Sequence, residues 1–199
     1  MVEKMRIAIS WIFFILLGIL FLFSNNLLEE KAPLTSGFVF AAGVFLVGIA
    51  SFGRLWCTLC IVGYKNDRLI MVGPYSLSRN PLYFFSLLGG IGIGLISESV
   101  MIPLIIAIAF AIYYPSVIRR EEARLKKKHH DEFLRYCENV PRFFPKFSNF
   151  IEPVEYLVKP KLIRKHIVYA LWFVWMIGII ELIEKFHDLK ILPTFFNLY

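Results

Sequence analysis

Charge is scarce in this chain. Only 19% of its 199 residues are Asp, Glu, Lys or Arg, against 58% hydrophobic and 17% aromatic, and the mean hydropathy is +0.64. That balance excludes an ordinary soluble domain and predicts an integral membrane protein. Cysteine is scarce too, with Cys57, Cys60 and Cys137 alone. The first two form a CxxC, but a zinc site needs a second ligand pair at suitable spacing. His129 and His130 would need further ligands, and His166 and His187 lie far from them in sequence, so no metal site is expected. In a reducing compartment the three cysteines are expected as free thiols. Repeats and low-complexity linkers are also missing, so residues 1–199 read as a single membrane domain. No short apolar segment with a small-residue cleavage site opens the chain, and "MRIAISWIFFILLGILFLF" is expected to be a retained helix.

What is present in abundance is apolar sequence. A bilayer core takes about 20 apolar residues as helix. Five runs reach or approach that length, near Arg6–Phe23, Ser36–Trp56, Pro81–Ser97, Val100–Ile118 and His166–Phe186. The fold class expected is therefore all-α, with five transmembrane helices and a charged helical extension after the fourth. The formal charge of +7 does not point to nucleic acid, because the basic residues lie beside the apolar runs, where they act as topology signals and attract anionic lipid. Arg54, Lys65, Arg68 and Arg79 oppose Asp67 in the connector 54–80, and 13 Lys/Arg oppose 7 Asp/Glu over 119–165. The remaining connectors hold only Glu29, Glu30, Lys31 and Glu98. The positive-inside rule places the two basic segments, and any site they build, in the cytoplasm, making the protein multi-pass with the N-terminus inside and the tail "LPTFFNLY" outside.

Three stretches carry candidate chemistry. In "GPYSLSRNPLYFF", Gly73-Pro74 is a turn signal, and Pro81 suits the first turn of a helix, where its missing N–H costs nothing. The backbone donors at that helix start favour an anion such as a carboxylate. The alternative is a plain interfacial cap, with Tyr75 and Tyr83 as belt aromatics. In "RREEARLKKKHHDEFLRY", the helical period puts Ile118, Glu122, Leu125, His129, Phe133 and Tyr136 on one stripe and Arg120, Arg124, Lys127, Asp131 and Arg135 opposite. Glu122 lies about 25° from the stripe's centre and Glu121 about 75° away. A carboxylate so placed is expected to be held inward by a partner, the competing reading being an exposed pair with Lys126. Pro115 is a candidate kink. In the third run, Gly90 and Gly94 form a GxxxG pair, which favours close helix packing, although glycine also lets a cofactor lie against a helix backbone. Glu181 and Glu184 read as interfacial residues near Lys185.

Together, "GPYSLSRNPLYFFSLLGGIGIGL" and "RREEARLKKKHHDEFLRYCENVPRFFP" resemble the isoprenylcysteine carboxyl methyltransferase and phospholipid methyltransferase family. Its members typically read GPY-x-x-x-R-H-P-x-Y, a helix hairpin, a paired-glutamate element of the R-x-x-E-E kind, a Y-x-x-Y-like element and V-P-R-x-x-P. The resemblance covers roughly Gly73–Pro145; the first two runs fit generically, and the fifth, near 166–186, looks like an addition. It implies an integral membrane methyltransferase using S-adenosylmethionine, with a lipophilic acceptor arriving from the bilayer. It also implies a cofactor held by Tyr75, Arg79, Asn80, Pro81, Tyr83 and the Gly89–Gly90 region on one side, and by Glu121, Glu122 and "VPRFFP" on the other. Arg142 or Arg120 would orient a carboxylate acceptor, and Glu122 would take or steer the proton of an amine. The acceptor stays open between a prenylated peptide, a phospholipid amine and a small isoprenoid. Two positions depart from the pattern: Asn80 stands where the family has histidine, and Phe133 where it has tyrosine. An amide still donates a hydrogen bond but carries no proton near neutral pH. Two alternatives share parts of this scaffold: an NADPH-dependent membrane reductase of the sterol reductase type, and a non-catalytic membrane protein.

Overall fold

The computed structural model describes residues 12, 15–26, 28, 31–62, 68–156 and 160–198. Five helices carry the architecture: α1 (Pro33–Ile61), the single turn α2 (Pro74–Leu77), α3 (Pro81–Ile96), α4 (Met101–Asn139) and α5 (Pro160–Asp188). Residues 15–22 are helical as well, and the start of the first apolar run lies outside the described residues. The only strands among the described residues are β1 (Ser24–Asn26) and β2 (Phe196–Leu198), which pair in parallel. His187 beside the Leu22 carbonyl at 2.9 Å reinforces this junction of the two ends of the chain. The protein is an all-α membrane protein.

Proline opens α1, α2, α3 and α5 in their first turns, as expected where an N–H has no intrahelical acceptor. Among the described residues, three helices are long and apolar enough to cross a membrane: α1, α4 and α5. The expectation of five is corrected to that extent. Helix α3 has 16 residues, about 24 Å of helix against a hydrocarbon core of about 30 Å. Pro81 fixes its start and the Ser97–Glu98 turn its end. The faces these helices turn outward are apolar: Leu34, Phe38, Phe45 and Phe52 on α1, Leu104, Ile108 and Ile112 on α4, and Trp172 and Trp175 on α5 are all exposed. Their solvent is lipid.

With hydrocarbon outside as well as inside, close packing holds the helices together rather than exclusion from water. At the α1–α3 crossing, a Cβ on Gly43 would stand 2.8 Å from the Gly92 carbonyl oxygen, and one on Gly92 would stand 2.9 Å from that of Gly43. A Cβ on Gly94 would stand 2.7 Å from the Pro103 backbone nitrogen of α4. Val47, Ile96 and Ile180 form the core where α1, α3 and α5 meet. The Ser36 hydroxyl donates to the Glu98 carboxylate, tying the start of α1 to the α3–α4 turn.

Helix α4 extends far beyond its apolar part. Its backbone leaves helical geometry at His130 (φ 42°, ψ −115°), while Pro115 sits inside the helix without a break. The kink anticipated at Pro115 is therefore at His130 instead. Beyond it, Phe133, Tyr136 and Val140 form a second core with Leu69, Met71 and Leu125. The single stripe read over 118–136 thus joins two helical segments that fold onto a common core.

Gly43→Ala is expected to destabilise the bundle by about 1–3 kcal/mol, because the added methyl meets backbone that cannot rotate away. Gly48→Ala, with nothing within 4 Å of its Cβ position, is expected to be neutral or stabilising by up to about 1 kcal/mol. Thermal unfolding in detergent distinguishes them, and equal melting temperatures would refute the close-packing account.

Candidate active site

The polar break after α1 is fastened to the segment after α4 almost residue by residue. Gly73 adopts φ 60°, a conformation other residues rarely take, and its N–H donates to the Ile151 carbonyl at 2.8 Å. Ser76 Oγ accepts from the Ile151 N–H at 2.9 Å. Lys146 N–H donates to Leu77 O at 2.9 Å, and Arg79 N–H to Pro141 O at 2.9 Å. Ser78 Oγ donates to Phe143 O at 2.9 Å, and the Tyr136 hydroxyl to Tyr75 O at 2.6 Å. Backbone groups that would be costly to bury unpaired are thereby satisfied, and residues 73–80 and 140–151 become one wall.

At the centre of this wall stands Glu122. Asn80 Nδ2 donates to its Oε1 at 3.2 Å and to the Arg142 carbonyl at 3.0 Å. Arg142 Nη2 lies 2.9 Å from Oε2, and Arg79 Nη1 lies 3.5 Å from Oε1. The Glu122 side chain is 15% exposed, that of Arg79 16% and that of Arg142 43%. Glu122 is paired across elements, as its place on the apolar stripe implied, and Lys126 is not its ion-pair partner. Asn80, the N-cap residue of α3, makes no side-chain cap bond of its own; its amide is turned to Glu122. Arg79 Nη1 also donates to Cys137 Sγ at 2.7 Å. Its Nε is buried and finds no acceptor among the described residues.

The other residues named from the sequence divide clearly. Tyr75 is half-buried. Burial first, then the neighbouring Cys57 and Cys60 thiols and the Tyr136 and Tyr83 phenols, hold its own phenol well above the ordinary tyrosine range, so it stays a neutral donor. Pro81 is buried at the start of α3, and Tyr83 packs edge-on to Tyr114 with centroids 5.4 Å apart. Glu121 turns away and pairs with Arg124 of its own helix at 2.5 Å. Arg120 does not join the site: it is exposed and donates to the Ser116 carbonyl one turn back at 3.2 Å. Gly89 and Gly90, expected at a cofactor, are occupied by packing instead, since Cβ atoms there would meet the Phe173 ring at 2.5 Å and Ile106 Cγ2 at 3.0 Å. Sequence reasoning did not single out the two serines that fasten the wall or the thiol of Cys137 as an acceptor. Ser76 and Ser78, two polar residues of a turn, were the available signal. Cys57, Cys60 and Cys137 are free thiols, and among the described residues no three His, Cys, Asp or Glu side chains converge as metal ligands.

A family model described as phospholipid methyltransferase matches residues 32–132, from α1 through the charged extension of α4. Two similar proteins are a nickel-cobalt-cadmium resistance protein, NccN, of Alcaligenes xylosoxydans xylosoxydans, and a cobalt-zinc-cadmium resistance protein, CzcN, of Cupriavidus metallidurans. The first is 38% identical over 160 residues, covering 80% of this chain and 75% of that protein. The second is 39% identical over 150 residues, covering 75% of this chain and 69% of that protein. No solved structure matches significantly. The match over α1–α4, at this level of identity to relatives covered over most of their length, carries one conclusion: the chain belongs to the phospholipid methyltransferase family.

Proposed function

We propose that this protein is an integral membrane methyltransferase that uses S-adenosylmethionine and acts on a lipophilic acceptor, an isoprenyl carboxylate or a lipid amine. The observation that carries this reading is the clasp of Glu122 by Asn80, Arg79 and Arg142 at the start of α3. A zwitterionic amino-acid moiety fits it. The buried Arg79 Nε, a donor with no acceptor among the described residues, suits a ligand carboxylate, and Glu122 suits an ammonium or sulfonium charge. When bound, the cofactor supplies a methyl group already activated on sulfur. The protein's share is to orient, to exclude water and to place charge. Arg142, the most exposed of the three, is the residue suited to orient a carboxylate acceptor. Glu122 Oε1 and Oε2 are engaged by Asn80 and Arg142, so accepting a proton from an amine would loosen the clasp; we assign Glu122 chiefly to electrostatic positioning.

The family and the aromatic-walled break support this reading together. The basic excess of the 119–165 segment supports an active site facing the cytoplasm. The relatives' names tie them to resistance to nickel, cobalt, zinc and cadmium, and for this chain we propose that any part in metal tolerance runs through a methylated membrane constituent.

Radiolabelled S-adenosylmethionine is expected to bind the detergent-purified protein saturably, without competition from NADPH. Saturable NADPH binding alone would make the protein a reductase, and binding of neither a non-catalytic scaffold. Glu122→Gln should cost about 2 kcal/mol or more, roughly thirtyfold in rate or cofactor affinity, whereas Glu121→Gln, in a solvent-screened pair, should cost less than about 1 kcal/mol. Matched kinetics decide this, and equal losses would refute the assignment of Glu122. For orientation, a Lys127→Cys variant in sealed cells should resist an impermeant thiol reagent until the cells are opened; labelling from outside would reverse the topology.

A further inference from the structure

A cavity of about 310 Å³ lies between α1, α3 and α5, bordered by Arg54, Thr58, Leu82, Leu162, His166 and Tyr169. Arg54 is seven residues from the end of α1, about 10 Å of helix inside it. Its Nη1 donates to Ser86 Oγ, and its guanidinium lies over the Phe173 ring, 5.4 Å from the centroid. Among the described residues no carboxylate forms an ion pair with it. A guanidinium this deep, with no carboxylate paired to it among the described residues, is costly unless an anion reaches it. His166 adds an imidazole to the lining, while Ile61, Val62, Leu82 and Leu162 make much of the border apolar. Leu162 and Tyr169 are exposed, so the α5 flank of the cavity opens outward where the charged segment passes into the apolar run. At its other side the cavity is bordered by Leu82, in the first turn of α3 directly after the polar break. The cavity therefore backs onto the polar break. One of its walls, α5, lies outside the residues that match the family model.

We propose that this cavity holds the anionic end, a carboxylate or phosphate, of a membrane amphiphile, with Arg54 as the counter-ion and the tail leaving past Leu162 and Tyr169, and that this amphiphile is the methyl acceptor. The identification with the acceptor rests on the methyltransferase reading; the binding site does not. A volume of this size is at the small end for a ligand pocket and suits a headgroup with its first methylenes, not a whole lipid.

The test is binding of tail-fluorescent phosphatidic acid and tail-fluorescent oleate to the full-length protein in detergent, with diacylglycerol and inorganic phosphate as competitors. At least one of the two anionic probes is expected to bind saturably, without displacement by either competitor. Arg54→Gln should weaken that binding about tenfold or more, with partial recovery in Arg54→Lys. Leu162→Trp, a substitution at an exposed rim position that leaves Arg54 intact, should weaken it as well, which keeps the site testable if Arg54→Gln misfolds. Equal binding of diacylglycerol, displacement by inorganic phosphate, or full affinity in both variants would overturn the site. Radiolabelled S-adenosylmethionine binding, measured on the same samples, should be unchanged in both variants. Its absence in the unmodified protein would sink the methyltransferase reading while leaving an amphiphile site in place.

Discussion

A single half-buried carboxylate organises the polar end of this protein. Glu122 comes from the α4 extension, Asn80 and Arg79 from the break before α3, and Arg142 from the segment after α4. Three pieces of chain distant in sequence therefore converge on one charge. A charge in such a position is destabilising unless it is paired and hydrogen-bonded, so the three pieces are bound to arrive together. The backbone zipper from Gly73 to Ile151 supplies the geometry, and the core of Phe133, Tyr136 and Val140 supplies the apolar support. The helical bundle within the membrane depends on Glu122 less directly: its own packing rests on glycine contacts between α1, α3 and α4.

How far the sequence reveals this arrangement depends on the range of the interaction. Proline at helix starts and the inward face of Glu122 follow from local rules, a missing N–H and a 100° step per residue, and both are legible. So is the separation of Glu121 from Glu122, because the intervening helix from Ile118 to Leu125 is regular. The break at His130 is not legible, since neither proline nor glycine marks it; it follows from folding Phe133 and Tyr136 back onto Leu69 and Met71. The role of Gly89 and Gly90 is also hidden, because it depends on where Phe173 of α5 and Ile106 of α4 arrive. The placement of Arg120 is hidden for a related reason: a long exposed side chain satisfies itself on its own helix, at Ser116.

Arg54 shows how one residue can satisfy two readings. As one of a set of basic residues it is a topology signal, and that reading is complete without any structure. Its depth in α1, its hydroxyl and aromatic neighbours and the adjoining cavity add a second reading that charge counting cannot reach. Helix α5 closes the cavity, so the segment that resembles the family least supplies its outward-facing wall.

Asn80 then has a physical rationale. Its side-chain nitrogen serves two acceptors, the Glu122 carboxylate and the Arg142 carbonyl, and both of these accept only, which fixes the amide's orientation. An NH2 group has two hydrogens and satisfies both acceptors while uncharged. A neutral imidazole has one N–H, so a histidine making the same two bonds would have to be protonated, and with an ordinary pKa near 6.5 it would lose one of them around neutral pH. Asparagine gives up the proton that a histidine could carry and makes both bonds without one. It also adds no charge of its own to the two guanidiniums and one carboxylate gathered there. That positive surplus suits the ligand carboxylate proposed beside Arg79.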